Sequence, residues 1–263
     1  MTQAKLKAAL DAVLDCNVHR HGGAPGVVAM ATDRNGNFYE GAAGTRDLVQ
    51  DRPMSTDAVF AIFSTTKALT GVCIMQLVEE GKIKLTDPAS LYAPEIAELQ
   101  VLDGFDADGQ PRTRAPKRQI TVNDLMLHAS GLSYEFFSAD ALKYRTARGI
   151  PTIVSSTFES VRTVLLHDPG ERWTYGANID WLGRIIEQQR GKRLGEVIKE
   201  RLFEPLGMQD IGLTMSESLK ARRVTIDRQT GIGGYWATQI LPFQDSASYP
   251  GFVEFETATY HGR

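Results

Sequence analysis

Ser64 and Lys67 stand three residues apart in Phe63-Ser64-Thr65-Thr66-Lys67, directly before an apolar helical pattern. Residues at i and i+3 share a helix face, so the Lys amine can reach the Ser hydroxyl. A Ser at a helix N-terminus also lies beside unsatisfied backbone N–H groups and the positive end of the helix dipole, both of which favour developing negative charge. Ser is a weak nucleophile until a base takes its proton, and a Lys among other donors can have its pKa lowered enough to act as that base. The four residues fit a nucleophile with its base. Taken alone they fit better an N-capping Ser followed by a solvated Lys, because such a spacing arises by chance in a chain of this length.

Other chemistries find less support. The chain has no Gly-x-Ser-x-Gly elbow, no Walker-type phosphate loop and no Gly-x-Gly-x-x-Gly after a strand. Its five His residues form no His-x-x-x-His pair, and His19 and His21 read as solvated side chains at a helix exit rather than metal ligands. Glu79-Glu80 reads as a solvated helix face rather than an acid/base pair. Cys16 and Cys73 lie far apart in helical patterns, which predicts reduced thiols and a cytoplasmic protein. With 29 basic against 32 acidic residues the formal charge is −3 and no basic run stands out, so neither nucleic acid nor a membrane surface is an expected partner.

The elements that must position Ser64 and Lys67 are legible in outline. The start of the chain spaces Leu6, Ala9, Leu10, Val13 and Leu14 along one helical face. It has no continuous apolar core or small-residue cleavage site, so a signal peptide is not expected. Two short apolar runs, 26–32 and 38–45, flank Asn35-Gly36, a hairpin signal. From Ser64 the period turns helical, with Ala68, Val72, Met75 and Val78 as the expected stripe and Gly81 as C-terminal cap. Residues 103–118 read as a polar surface loop. Thr121 to Asp124 resembles a capping box that opens a short helix stopping by Gly131. Further helices are predicted over about 179–189, ended by Gly191, and over about 194–203, stopped by Pro205. Phe252 to Thr257 alternates like an edge strand.

Five segments together resemble the serine β-lactamase and penicillin-binding-protein superfamily, in its branch of β-lactamase-like carboxylesterases and acyltransferases. They are 57–67 with the Ser-x-x-Lys motif, 77–88 (LVEEGKIKLTDP), 120–132 (ITVNDLMLHASGL), 168–175 (DPGERWTY) and 204–208 (EPLGM). The likeness spans roughly residues 25 to 215. It implies an α/β (α+β) fold with an antiparallel sheet lobe and a mostly helical lobe. The expected layout is a single catalytic domain over 1–263, with lobes 1–60 plus about 216–263 and about 61–215. It implies Ser64 as acylated nucleophile, Lys67 as proton acceptor, and Tyr175 as the group that shares the proton and passes it to the leaving group. His128 falls at a position that looks structural, bonding loop backbone. No metal or organic cofactor is implied, and the expected partner is a small-molecule ester.

The chain departs from the superfamily pattern in two places. Where the pattern often reads Tyr-x-Asn, this chain has Tyr175-Gly176-Ala177-Asn178, with the Asn displaced by one residue. The third motif, on a late strand that supplies an oxyanion N–H, has no proper match; Gly233-Gly234-Tyr235-Trp236 and Tyr260-His261-Gly262 come nearest. Too few residues follow Tyr175 for the complete central sheet, so an incomplete sheet is expected. A lost oxyanion donor costs about 3–4 kcal/mol of transition-state stabilisation. The reading is a carboxylesterase for small or medium acyl esters. An acyltransferase, a weak β-lactamase, a D-peptidase and a silent ligand-binding relative share the same motifs. Because Ala177 replaces the amide, β-lactam hydrolysis is expected to fall far below ester hydrolysis. Comparing kcat/KM for nitrocefin and p-nitrophenyl butyrate checks this, and a higher value for nitrocefin refutes it.

Overall fold

The computed structural model describes residues 2–47, 52–224, 254–255 and 257–258. In chain order the elements are α1 (Gln3–His19), β1 (Gly26–Asp33), β2 (Gly36–Asp47), β3 (Arg52–Pro53), α2 (Thr66–Glu79), β4 (Val101–Phe105), β5 (Pro111–Arg114), α3 (Val122–Met126), α4 (Ala139–Arg148), α5 (Phe158–Val161), α6 (Asn178–Arg190), α7 (Leu194–Ile198) and α8 (Glu217–Arg222). They fall into two compact units, Met1–Ser64 with Asp210–Arg263, and Thr65–Gln209. The expected mixed α/β class holds, with an antiparallel sheet in the first unit and mostly helices in the second. No helix among the described residues is long and apolar enough to cross a membrane.

In the first unit α1 lays Leu10 and Leu14 on the inner residues Val27, Ala29, Ala31 and Tyr39 of the β1–β2 hairpin. The turn forms where expected. The Asp33 carboxylate accepts from the Asn35 N–H at 2.8 Å, and Gly36 takes φ +119°, a region open to glycine. β3 adds to β2, giving the order β1-β2-β3. After α8, Arg223 bridges Val59 in parallel, and the Arg222 guanidinium donates to the Asp57 carbonyl at 3.2 Å. The edge strand expected over 252–257 is not what the described residues adopt: 254–255 and 257–258 are helical. Phe255 is buried in the hairpin core, its ring 5.6 Å from that of Tyr39. Local alternation yields there to the burial of one large ring.

The second unit is built on α2 packed against α6. Of the expected α2 stripe, Val72 and Met75 stay exposed, while Thr70, Cys73, Ile74 and Leu77 are buried. Apolar residues surround this helix, so periodicity does not single out its inner face; the partner helix does. α6 presents Ile179, Trp181, Leu182, Ile185 and Ile186 inward and ends at Gly191 in the left-handed conformation. α7 runs on through a π turn, Lys199–Phe203, to the Pro205 stop. Neither cysteine is in a disulfide; Cys16 is exposed and Cys73 buried.

The segment expected as a polar loop over 103–118 is instead largely a β4–β5 hairpin, because its pairing is set by backbone rather than by apolar alternation. The Asp106 carboxylate caps its turn, accepting from the N–H groups of Asp108 and Gln110 at 3.0 and 2.7 Å. Buried Val101 bridges Leu165. The hairpin delivers Arg114, and the turn after it Lys117, to Asp168. Arg114 donates twice, at 3.0 and 2.7 Å, and the Lys117 backbone N–H once, at 2.8 Å. These donors hold the Asp168 carboxyl well below the usual range. Glu80, expected on a solvated face, gathers Arg190, Arg201 and Lys82 and so ties the end of α2 to α6. Bonds from Arg190 first, then Lys82, bring its carboxyl down to about 2.

The Thr121–Asp124 capping box forms and opens α3. Buried Asp124 accepts from Arg118 at 2.6 and 2.8 Å and from the Thr121 N–H and hydroxyl at 2.8 and 2.7 Å. Burial alone would push its carboxyl up; the Arg118 and Thr121 donors outweigh that and hold it below its ordinary value. A depressed native pKa gives stability that is complete at neutral pH and lost as pH falls through that value. Asp124→Ala should therefore lower stability by about 2–3 kcal/mol at pH 7, combining a cap with charge-assisted bonds. Urea unfolding at pH 7 and again near pH 3 checks it, the difference between the two proteins shrinking in acid.

Candidate active site

Ser64 lies in a 3-10 turn, Phe63–Thr65, that runs directly into α2. The helix cap is Thr65, in helical conformation and without a side-chain cap bond, so the N-cap reading of Ser64 does not hold. Ser64 is exposed, and the residue before it, Phe63, has φ +41°. A non-glycine residue in that region stores about 1–3 kcal/mol and persists only where surrounding structure imposes it.

Within the second unit, Lys67 and Tyr175 come together. The Lys67 Nζ lies 5.0 Å from the centre of the Tyr175 ring and 5.6 Å from that of Tyr134. Such distances allow a cation–π attraction to both rings. Tyr134 was not among the residues expected from sequence. The signal available was the aromatic run Tyr134-Glu135-Phe136-Phe137, just past the Ser130-Gly131-Leu132 segment. Its hydroxyl donates to the Asp180 carboxylate on α6 at 2.9 Å. Burial, then the Asp180 charge, raises the phenol pKa far above its ordinary value, so Tyr134 stays a neutral donor.

Tyr175 sits in a box of rings. His128 is 4.8 Å away, Tyr134 5.5 Å, Phe137 5.8 Å and Trp173 6.2 Å, centre to centre. Phe136, Phe137 and Trp173 are 61%, 65% and 67% exposed, which makes them an apolar ledge rather than core. Glu135 anchors that ledge from behind, accepting from the Ile153 N–H at 2.8 Å and pairing with Arg145 at 3.4 Å. Arg145 in turn donates to the carbonyls of Ser160, at 2.8 Å, and Pro151.

The segment that carries Tyr175 is pinned through Thr174. Its N–H donates to the His128 carbonyl at 2.8 Å, and its hydroxyl lies 2.9 Å from His167 Nε2. His167 Nδ1 faces the Asp168 carbonyl at 2.9 Å; a carbonyl only accepts, so Nδ1 carries the proton and Nε2 accepts from Thr174. His128, expected to bond loop backbone through its ring, instead faces the Asn178 amide at 3.1 Å and the Tyr175 ring. Its carbonyl does serve the loop. Burial first, then the Lys67 charge, lowers the His128 imidazole to about 4, against an opposing pull from Asp180. Ala177 is buried, and Asn178 is the first residue of α6. The candidates for a third motif, 233–236 and 260–262, lie outside the described residues. Among the described residues no group of three or more His, Cys, Asp or Glu side chains is placed to hold a metal.

A mixed α/β scaffold that carries a Ser-x-x-Lys segment into α2, with Lys67 over the Tyr175 ring, fits β-lactamase-like proteins. The beta-lactamase family model matches residues 6–251, and the chain belongs to that family. It is 34% identical over 208 residues to an acyltransferase, mokF, of Monascus pilosus, covering 76% of this chain and 50% of that protein. To a lovastatin esterase of Penicillium rubens it is 36% identical over 209 residues, covering 77% and 52%. Its structure resembles unliganded simvastatin synthase (LovD) from Aspergillus terreus with TM-score 0.75 at 29% identity, over 83% of this chain and 58% of that one. The chain thus spans about half the length of the curated relatives it matches.

Proposed function

We propose that this chain is a serine carboxylesterase that cleaves small or medium acyl esters through an acyl-Ser64 intermediate, with Lys67 and Tyr175 as the proton relay. The observation that carries this reading is the Lys67 Nζ placed over the Tyr175 ring, on the helix that continues from the Ser64 turn. The Ser64 Oγ attacks the ester carbonyl carbon while its proton passes to the relay. Collapse of the tetrahedral intermediate expels the alkoxide, which Tyr175 protonates as it drains the same proton back. Water then attacks the acyl-Ser64 carbonyl, giving up a proton to the relay. Expulsion of the Ser64 alkoxide, reprotonated in turn, releases the acid. The proton count closes over the cycle without a cofactor.

Two observations support esters over β-lactam amides. Ala177 brings no amide to the site, and the amide of Asn178 is committed to Ser130, His128 and Thr174. A second reading, transfer of the acyl group to an alcohol, draws support from the exposed ledge of Phe136, Phe137 and Trp173, which suits an apolar acceptor, and from the acyltransferase name of one relative. It keeps the same acyl-Ser64 step and replaces water with the alcohol.

A fluorophosphonate should add one adduct, visible by intact-mass spectrometry, and peptide mapping should place it on Ser64. An adduct on Ser130, which is wholly buried and bonded to Asn178, overturns the assignment. If Lys67 and Tyr175 act as one unit, Lys67→Ala and Tyr175→Phe should each remove about 10²–10⁴ of kcat, and the double variant should be little worse than the worse single. The rate should rise with pH as the pair loses a proton, with an apparent pKa that belongs to both groups. A folded Tyr175→Phe variant of near wild-type rate removes Tyr175 from the relay.

A further inference from the structure

The polar groups behind Tyr175 have only one arrangement of protons that satisfies them. Asn178 and Ser130 are wholly buried. The Asn178 Nδ2 lies 3.4 Å from the Thr174 carbonyl, which can only accept, so that atom is the amide nitrogen. The Ser130 hydroxyl receives the Leu132 N–H at 3.3 Å and therefore turns its own proton to Asn178 Oδ1, 2.5 Å away. The second Nδ2 proton of Asn178 is left facing His128 Nδ1 at 3.1 Å. That ring nitrogen must accept, which puts the imidazole proton on Nε2.

We propose that Asn178, oriented by Ser130, locks His128 as the neutral Nε2–H tautomer, and that this uncharged ring is the seat that positions Tyr175 for proton transfer. The positioning half rests on the functional reading above; the tautomer stands on geometry alone. The ring touches Tyr175 at 4.8 Å and Trp173 at 6.2 Å, and His128 holds φ +54°, a strained value for a residue with a side chain. The charged groups acting on it are Lys67 from α2, which disfavours the imidazolium, and Asp180 from α6, which favours it. A second cation beside Lys67 would repel the ammonium that the relay must form. Asn178 and His128 are thus positioning residues.

The displaced Asn acquires a role in this arrangement. Standing one residue past the superfamily position, Asn178 opens α6 and points its amide behind the tyrosine.

Long-range ¹⁵N–¹H correlation spectra of the His128 ring test the lock directly in wild-type protein. The expected pattern is an unprotonated Nδ1 and a protonated Nε2, unchanged between about pH 5 and 8. A proton on Nδ1, or an imidazolium at neutral pH, overturns the proposal whatever the activity. Asn178→Asp replaces the donor with a carboxylate, so His128 should acquire a proton on Nδ1, and the nearby negative charge should raise its pKa into that pH window. NOEs between the His128 and Tyr175 rings should weaken. With p-nitrophenyl butyrate, kcat should fall about 10- to 100-fold at pH 7 with KM little changed, and the acid limb of the rate profile should move up in pH. Ser130→Ala, a gentler change, should show the same split between kcat and KM at smaller size if Asn178→Asp does not fold. A folded variant with a switched tautomer but wild-type kcat and pH profile refutes the seating of Tyr175. Wild-type protein with the Nε2–H tautomer and no esterase activity refutes the functional reading and leaves the lock standing.

Discussion

The site depends on how closely two loops of the helical unit approach one another. A Cβ on Gly131 would sit 2.4 Å from the His167 carbonyl oxygen, and one on Gly176 would sit 2.4 Å from that of Leu132. Gly131 also takes φ +101°, so both its conformation and its space require glycine. Because the backbones meet this closely, the Thr174 N–H reaches the His128 carbonyl and the Leu166 N–H reaches that of Gly131. These bonds hold the segment that carries Tyr175 against the loop of His128. Of the three non-glycine residues with positive φ among the described residues, Phe63 directly precedes Ser64 in the chain and His128 stands beside the Tyr175 ring. Backbone strain gathered in that way is a familiar trait of sites whose geometry matters more than their comfort.

Around the loops, four carboxylates act as brackets, Asp124 and Asp168 buried, Glu135 half-buried and Asp180 exposed. Asp168 holds the β4–β5 hairpin to the segment leading into Tyr175, and Asp124 holds the start of α3. Glu135 holds the aromatic ledge and Asp180 the Tyr134 hydroxyl. Asp168 and Asp124 are met mainly by Arg and by backbone N–H donors, a pairing that offsets the cost of burying charge and fixes direction at the same time. Lys67 differs from them in standing over two aromatic faces.

Legibility in the sequence followed locality. Helix starts and stops could be read where a side chain caps its own backbone, as at Thr121–Asp124 and Gly191, since those bonds span only a few residues. The Asn35-Gly36 turn was legible for the same reason. The inner face of α2 was not, because apolar residues ring that helix and only α6 selects among them. The β4–β5 hairpin was hidden by its polar composition, and the helical state of the described residues near Phe255 by alternation without a partner strand. Both outcomes are tertiary decisions overriding a local pattern.

The site divides along the same line. Residue types at short spacing, Ser64 with Lys67 and the run ending at Tyr175, could be picked out because a helical turn and five ordered segments announce them. The environment of those groups could not. Tyr134 lies 67 residues from Lys67 in sequence, and Asn178 lies 48 residues from Ser130 and 50 from His128. Which ring faces the ammonium, which carboxylate holds a phenol neutral, and which nitrogen of His128 carries a proton are all settled by contacts between distant loops. Chain order names the candidate groups, since their chemistry belongs to the side chains themselves. Their orientation and charge come from neighbours that only folding brings within a few ångströms.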